Sequence, residues 1–199
     1  TKELERINHF AHVNHTANAP VVGKLLCING AGIQYRWMKN NTGAESYKHM
    51  NQLADATPIG ANGLCVMPFG NGSERMLGNK NIEARILNIN LNKHSQGSIY
   101  RATLEGIAFS FIYGMKFIKS DNTPLNVIRA GNDNLFRSEV FSNTIGSLIG
   151  QAVEIYNTTG AIGAARAASL CHDDLIAFGE RTSNNDYISS YTPQKNTDA

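Results

Sequence analysis

The stretch VIRAGNDNLF, residues 127–136, decides the fold class. It starts as an apolar strand, turns at small and polar residues, and returns to apolar sequence. A strand, a small-residue turn and a helix in this order are how α/β proteins bring backbone N–H groups to a phosphate. Gly131 has no Cβ, so a ligand could approach the main chain there. A plain strand-to-helix turn, in which Asn132, Asp133 or Asn134 caps the helix, explains the same residues.

A second junction of the same kind lies earlier in the chain. VVGKLLCI, residues 21–28, predicts a buried strand, because it is a nearly continuous run of branched and apolar residues. Glycines follow it, and a helix is predicted from Ile33 to about residue 41. Gly30 could admit a phosphate to the backbone, and Gln34 could hydrogen-bond a ligand at the helix mouth. A tight turn followed by an amphipathic helix is the alternative explanation.

The remaining pattern predicts an α/β domain. Further strands are expected at residues 6–13, 63–68, 86–91, 125–129 and 152–156, and further helices at residues 44–56, 95–119, 135–149 and 160–178. The helix at residues 95–119 is apolar nearly all round, which predicts burial between layers. Residues 69–85 are predicted to be a long loop, of the kind that is functional or packs on a neighbouring domain. Residues 181–199 are predicted to form a polar, frayed tail.

Composition excludes several classes of protein. The 199 residues are 17% charged and 42% hydrophobic, which is typical of a globular chain. A net charge of +2 with no dense Lys or Arg run argues against nucleic-acid binding. No apolar run approaches the roughly 18–20 residues that cross a bilayer. Cys27, Cys65 and Cys171 are predicted to be buried thiols in a reducing, cytoplasmic compartment.

Three histidines near the start of the chain are weak candidates for a metal site. His9, His12 and His15 would share one face of a helix. Their segment is predicted to be a strand, in which His12 points away from the other two. We therefore expect no metal ligand among them.

Five ordered segments resemble the C-terminal half of the FGGY carbohydrate kinases, the family that contains xylulokinase, gluconokinase and glycerol kinase. They are VVGKLLCINGAGIQYRWMKNN at 21–41, GLCVMPFGNGSERM at 63–76, IYRATLEGIAFSFIYGM at 99–115, VIRAGNDNLFRSEVFSNTIG at 127–146 and NTTGAIGAARAA at 157–168. The resemblance covers roughly residues 1–178. The wording A-G-x-x-N-L-F at residues 130–136 is similar to that of the xylulokinase group.

The resemblance implies an α/β, ribonuclease-H-like domain of the actin-like ATPase type, with a mixed sheet flanked by helices. Residues 1–180 would form this C-terminal ATPase domain, and residues 181–199 the tail. In the family, ATP lies mainly on the C-terminal domain and the sugar mainly on the N-terminal one. The family's catalytic Asp, its acidic loop near the metal and its phosphate loop would all lie outside this chain.

The resemblance also implies a nucleotide site, with ATP and Mg²⁺ as cofactors. It assigns cofactor binding to Gly30, Ile33, Gln34, Gly131, Asn134 and Leu135, the last against the adenine, and it assigns no catalytic residue and no metal ligand to this chain. The parent protein would phosphorylate D-xylulose or a related sugar in the cytoplasm. This chain would need its missing N-terminal sugar-binding domain for activity, and a homodimer is compatible with the pattern.

Two other classes of protein remain open. An actin-like binding or assembly module that has lost nucleotide binding is favoured by the absence of the family's triple glycine around Gly131. A Rossmann-type dinucleotide enzyme is suggested by the repeated glycine turns. It is disfavoured because no G-x-G-x-x-G follows a strand and no acidic residue ends the next strand at the expected spacing.

Overall fold

The structure is a computed structural model that describes residues 6–12, 15–118, 125–169 and 186–194. The chain divides into two compact units, unit 1 (Thr1–Pro124) and unit 2 (Leu125–Ala199). Unit 1 contains β1 (Asn8–Ala11), β2 (Val22–Leu25), α1 (Ala31–Asn41), α2 (Tyr47–Asp55), β3 (Cys65–Phe69), β4 (Glu83–Leu87) and α3 (Gln96–Ile118). Unit 2 contains β5 (Ile128–Gly131), α4 (Glu139–Ile149), β6 (Val153–Tyr156), α5 (Gly160–Ser169) and β7 (Tyr187–Tyr191). The predicted α/β class, with helices against mixed sheet, is confirmed.

Strands β1 and β2 form an antiparallel hairpin in unit 1. Both predicted strands exist, but the prediction that residues 21–28 are buried is wrong. Val22 is 58% exposed and Leu25 is 53% exposed. The reason is topological: β2 has only β1 as a hydrogen-bonded neighbour among the described strands. The apolar run therefore predicted the strand correctly but did not predict its exposure.

Strands β3 and β4 form a second antiparallel pair, in which Phe69 faces Glu83 and Cys65 faces Leu87. The predicted loop at residues 69–85 and the predicted strand at 86–91 are therefore wrong in their bounds. The polar residues Glu83 and Arg85 belong to β4, because pairing with β3 decides their conformation and local composition does not. A 3₁₀ turn, Glu74–Leu77, also lies within the predicted loop.

Helix α3 is the central element of unit 1 and confirms the longest predicted helix. It packs against α1, α2 and β3. A Cβ on Gly106 would overlap the carbonyl oxygen of Val66 on β3, so only glycine permits this approach of helix to strand. Phe109 and Tyr113 lie at the exposed part of the helix surface. The predicted burial thus holds for most of α3 but not for these two rings.

A buried ion pair joins α3 to the end of α2. The Nε of Arg101 donates to Oε1 of Glu105 at 2.8 Å, and both side chains are almost fully buried. The same guanidinium donates to the carbonyls of Ala54 at 3.3 Å and Thr57 at 3.0 Å. The carboxylate also accepts from the backbone N–H of Gly60 at 3.0 Å. Each charge therefore has several partners, which is the condition under which a buried pair is tolerated.

Unit 2 is built on a three-stranded sheet in the order β5-β6-β7. Strands β5 and β6 are parallel, whereas β6 and β7 are antiparallel. This mixed sheet differs from the parallel sheet of a Rossmann domain. Strand β7 also corrects the prediction that residues 181–199 fray, because the antiparallel partner on β6 holds residues 187–191 in place. The predicted extension of α5 beyond Ser169 lies outside the described residues.

The helix predicted at residues 135–149 has two parts. A 3₁₀ turn, Asn134–Arg137, comes first. Ser138 then caps α4, its hydroxyl accepting from the N–H of Phe141 at 3.4 Å. Hydroxyl side chains at this position are favoured because they satisfy a first-turn N–H. The apolar face of α4, which includes Phe141 and Ile145, is buried.

Two exposed cysteines correct another prediction. Cys27 and Cys65 are exposed free thiols and not buried ones, because each lies on or beside a strand whose outer face is uncovered. Cys171 lies outside the described residues.

Within the part of the chain that the structure describes, none of the helices is both long and apolar enough to span a bilayer.

Replacing Arg101 tests the buried ion pair. We expect Arg101→Met to lower the free energy of unfolding by about 3–5 kcal/mol, because the Glu105 carboxylate stays buried without its charged partner. Arg36→Met is the matched control, since Arg36 is exposed on α1, and it should change stability by less than about 0.5 kcal/mol. Urea denaturation followed by circular dichroism measures both. Equal stability of the two variants would contradict the assignment.

Candidate functional site

A pocket of about 360 Å³ lies in unit 1, beside the first turns of α1. Three of the residues predicted to bind a cofactor, Gly30, Ile33 and Gln34, all line it. The other lining residues are Trp37, Met38, Gly70, Asn71, Ala84, Arg85 and Ile86. One face of α1, the loop after β3 and the middle of β4 therefore form its walls. The structure therefore places these three residues together around one pocket, and their role as cofactor contacts stays a prediction.

Gly30 shapes the entrance of α1. Its φ of 79° lies in the left-handed region, where glycine is favoured. A Cβ at this position would also come within 2.8 Å of the Asn71 Cβ. The Nδ2 of Asn29 donates to the carbonyl of Asn71 at 2.8 Å, which holds the two loops together. The turn therefore depends on glycine for both its backbone conformation and its packing.

The N-terminal end of α1 is open to an anion. No side chain caps it, and its first turn contains no acidic residue. The free N–H groups of a helix N-terminus and the positive end of its dipole favour a negatively charged ligand. Gly30 stands directly at this end, since its carbonyl accepts the first helical hydrogen bond, from the N–H of Gln34 at 2.7 Å.

Two polar side chains in the pocket have no protein partner. Gln34 is only 8% exposed, yet its amide makes no side-chain hydrogen bond to the described residues. The guanidinium of Arg85 likewise has neither a hydrogen bond nor an ion pair among them. The amide atoms of Gln34 are not among the fully buried, unpartnered side-chain atoms of the described residues, so the amide is reachable from the pocket. Its amide, together with the neighbouring cation, is therefore available to a polar, anionic ligand.

Three apolar residues of the lining are large and exposed. Ile33 and Trp37 lie one turn apart on α1, and Ile86 lies on β4. All three are large hydrophobic side chains that remain exposed in the structure. Behind them, Tyr35 is buried, its hydroxyl donating to Oδ1 of Asn51 at 2.7 Å. The burial of Tyr35 places that side of α1 in the core, with the other side at the pocket, and the same burial raises the pKa of Tyr35.

The other three predicted cofactor residues lie in unit 2. Gly131 ends β5, and a Cβ on it would come within 2.5 Å of the carbonyl oxygen of Thr158. The close approach expected there is thus already made by the chain's own backbone. Asp133 caps the 3₁₀ turn that follows, its carboxylate accepting from the N–H of Asn134 at 2.7 Å. Leu135 is buried in the unit.

A second, smaller pocket of about 300 Å³ lies at the same end of the sheet in unit 2. It is lined by Arg129, Ala130, Gly131, Tyr156, Thr158, Arg166 and Asp186. Asn134 and Leu135 are not among its lining residues, so the structure brings only one of the three predicted residues to this pocket. Its charges are already paired: Nη2 of Arg166 lies 2.5 Å from Oδ2 of Asp186.

A hydrogen-bonded triad occupies the strands beside this second pocket. Glu154 accepts from the Tyr156 hydroxyl at 2.7 Å and from Nε of Arg129 at 3.1 Å. The Tyr156 hydroxyl, followed by the Arg129 guanidinium, holds the pKa of Glu154 below its ordinary value. The same carboxylate raises the pKa of Tyr156. The triad therefore stays charge-balanced at neutral pH and needs no ligand.

Comparisons with known proteins agree on one group of enzymes. No family model matches the chain. It is 34% identical over 82 residues to a xylulose kinase of Haemophilus influenzae, which covers 41% of the chain and 16% of that protein. It is 29% identical over 130 residues to a xylulose kinase of Staphylococcus epidermidis, which covers 63% of this chain and 26% of that protein. The chain thus spans about a quarter or less of these relatives.

Solved structures of the same group share the fold. The xylulose kinase of Rhodospirillum rubrum matches with a TM-score of 0.72 at 21% identity, over 96% of this chain and 38% of that one. The Plasmodium falciparum glycerol kinase solved with ADP matches with a TM-score of 0.79 at 17% identity, with the same coverage.

The resemblance to the FGGY carbohydrate kinases is thereby confirmed, and the partial coverage of each relative fits a C-terminal domain. The resemblance is xylulokinase-like, since both sequence relatives named above are xylulose kinases.

Sequence reasoning missed the other seven lining residues of the unit 1 pocket. Trp37 contributes to the sequence pattern only as a helical position, and Asn71, Arg85 and Ile86 lie in or beside the predicted loop. The length of that loop was the available signal, because long loops in compact domains are often functional. The pairing that brings β4 to α1 could not be read from local sequence.

Substituting Gly131 tests whether its close packing against the Thr158 carbonyl contributes to stability. We expect Gly131→Ala to lower the free energy of unfolding by about 1–3 kcal/mol, because the new Cβ forces the Thr158 carbonyl to move. Gly163→Ala on α5 is the control, since a Cβ there meets nothing within 4 Å, and it should be neutral or stabilise by up to about 1 kcal/mol. Thermal unfolding measures both. An unchanged melting temperature for Gly131→Ala would show that this packing is not required.

The triad predicts a measurable pH effect. We expect Tyr156→Phe to raise the pKa of Glu154 toward its ordinary value, because it removes the largest cause of the lowering. A lowered carboxyl pKa means that these hydrogen bonds persist above it and are lost as the pH falls through it. An NMR titration of the Glu154 carboxyl group measures the change. Tyr187→Phe, which changes the adjacent ring, should leave the Glu154 titration unaltered.

Proposed function

We propose that the chain is the C-terminal, ATP-binding domain of an ATP-dependent carbohydrate kinase, with residues 1–180 forming a ribonuclease-H-like domain of the actin-like ATPase type. The observation that carries the proposal is the unit 1 pocket. It combines an uncapped helix N-terminus with exposed apolar side chains, and with an amide and a guanidinium that have no side-chain partner among the described residues. An adenine nucleotide has matching parts, since it joins an anionic phosphate chain to a planar base.

The pocket offers a distinct role to each of its polar groups. The phosphates would lie against Gly30 and the first N–H groups of α1, where the dipole favours negative charge. Gln34 would hydrogen-bond the nucleotide from the pocket floor, and Arg85 would balance part of the phosphate charge. Ile33 would contact the apolar part. In unit 2, Gly131, Asn134 and Leu135 stay proposed contacts to the adenosine, carried by the family resemblance.

The reaction needs groups beyond this chain. In-line phosphoryl transfer requires a positioned acceptor, a base and a clamp on the phosphates. This chain would supply the nucleotide pocket and part of the clamp, and we assign it no catalytic residue. Mg²⁺ would be held chiefly by the phosphates and water. We propose no metal ligand within this chain; in the described residues no group of three or more His, Cys, Asp or Glu side chains is placed to hold an ion.

The relatives' names suggest the acceptor. Both curated relatives cited above are named xylulose kinases, so we propose D-xylulose or a related sugar as substrate of the parent protein. Its sugar-binding N-terminal domain would be the principal partner of this chain, which would be inactive alone. We place the parent in the cytoplasm, where ATP is available, and a homodimer is compatible with this arrangement.

Nucleotide binding by the full-length protein tests the proposal. We expect ADP to bind in calorimetry and Gln34→Ala to weaken it roughly 2- to 10-fold, as expected for one lost hydrogen bond. Gln52→Ala, an exposed glutamine on α2, should leave the affinity unchanged. Kinase activity with D-xylulose and ATP should be present in the parent and absent from the 199-residue chain. No heat at millimolar nucleotide would instead favour the non-catalytic assembly module.

A further inference from the structure

Trp37 is placed unusually for a tryptophan. It is 53% exposed, although tryptophan side chains are highly buried on average. It lies on the same face of α1 as Ile33, and both line the unit 1 pocket together with Ile86. Three large apolar side chains therefore remain exposed around one cavity. Such clustering of exposed apolar surface marks a place where a ligand or partner is bound.

The polar groups of the pocket indicate which end of a ligand reaches Trp37. Gly30 and the open N-terminal end of α1 form the anion-attracting end. Trp37 lies seven residues further along the same helix. At 1.5 Å per residue, this is a separation of about 10 Å along the axis. A nucleotide whose phosphates lie at Gly30 therefore extends toward Trp37 with its base.

The chemistry of an exposed indole suits a base. Aromatic rings stack on nucleobases, and the larger ring system of a purine gives more contact than a pyrimidine. The amide of Gln34 lies between the two ends, one turn before Trp37, and makes no competing side-chain hydrogen bond to the described residues. The pocket thus changes from anion-binding to apolar along a single helix face.

We propose that Trp37 is a specificity-determining residue of the nucleotide site, whose indole ring stacks on the purine base. This inference rests on the proposed nucleotide-binding function. It adds a contact that favours purine over pyrimidine nucleotides, supplied by an exposed side chain on α1. Trp37 contacts neither the phosphates nor the sugar acceptor, so its contribution appears in nucleotide affinity.

The test compares three substitutions in the full-length protein by calorimetry, with ADP, CDP and inorganic tripolyphosphate as ligands. Trp37→Ala should weaken ADP roughly 5- to 100-fold, the range expected for loss of one base–aromatic stack. It should leave tripolyphosphate affinity unchanged and reduce the preference for ADP over CDP. Trp37→Phe should retain most of the ADP affinity. Leu91→Ala, at a highly exposed leucine outside the pocket lining, should change none of these values.

The outcomes separate this inference from the function beneath it. If the wild-type protein binds ADP and Trp37→Ala binds it equally well, the stacking role is wrong and the nucleotide site stands. Equal losses for ADP and tripolyphosphate would also overturn it, because they indicate general damage to the pocket. If the wild-type protein binds neither ligand, both the inference and the proposed function fail. Equal melting temperatures of the variants establish that each comparison is made on folded protein.

Discussion

The buried Arg101–Glu105 pair is the constraint on which the arrangement of unit 1 depends. It joins two charges on one helix to carbonyl groups at the end of α2 and to the N–H of Gly60. A charge that is buried must keep all of its partners, because leaving one unpaired costs far more than a lost surface contact. The positions of α2, α3 and the turn at Gly60 are therefore set together. The wall of the candidate pocket formed by β4 follows from this, since β4 pairs with β3, which packs on α3.

Much of the fold could be predicted because its signals are local. The long apolar pattern of α3, the glycine junction before α1 and the capping residues around Asp133 each determine structure within a few positions. The failures have a common cause. The exposure of β2, the start of β4 at Glu83 and the strand β7 all depend on which partner a strand finds, and no short stretch of sequence records that partner.

The residues of the candidate site show the same difference between local signals and strand pairing. Gly30 and Gln34 could be proposed from the strand–glycine–helix junction, which is a local signal, and Ile33 came from the family resemblance. Arg85 was missed because it is remote in sequence and belongs to a strand defined only by its pairing. At Gly131 the structure shows a second physical reason for a glycine, because the missing side chain makes room for the Thr158 carbonyl. A glycine signal thus reports a close approach without saying which group approaches.

The contact between Gly106 and the Val66 carbonyl has a consequence for tracing distant relatives of this chain. A glycine that faces fixed backbone cannot drift to any other residue without moving a strand, whereas Gly160 and Gly163 face open space. The G-x-x-G pattern in the first turn of α5 should therefore erode over evolutionary time, while the single glycine after Glu105 persists. An alignment anchored on Gly106 will retain divergent members that a search for the more conspicuous double-glycine pattern discards.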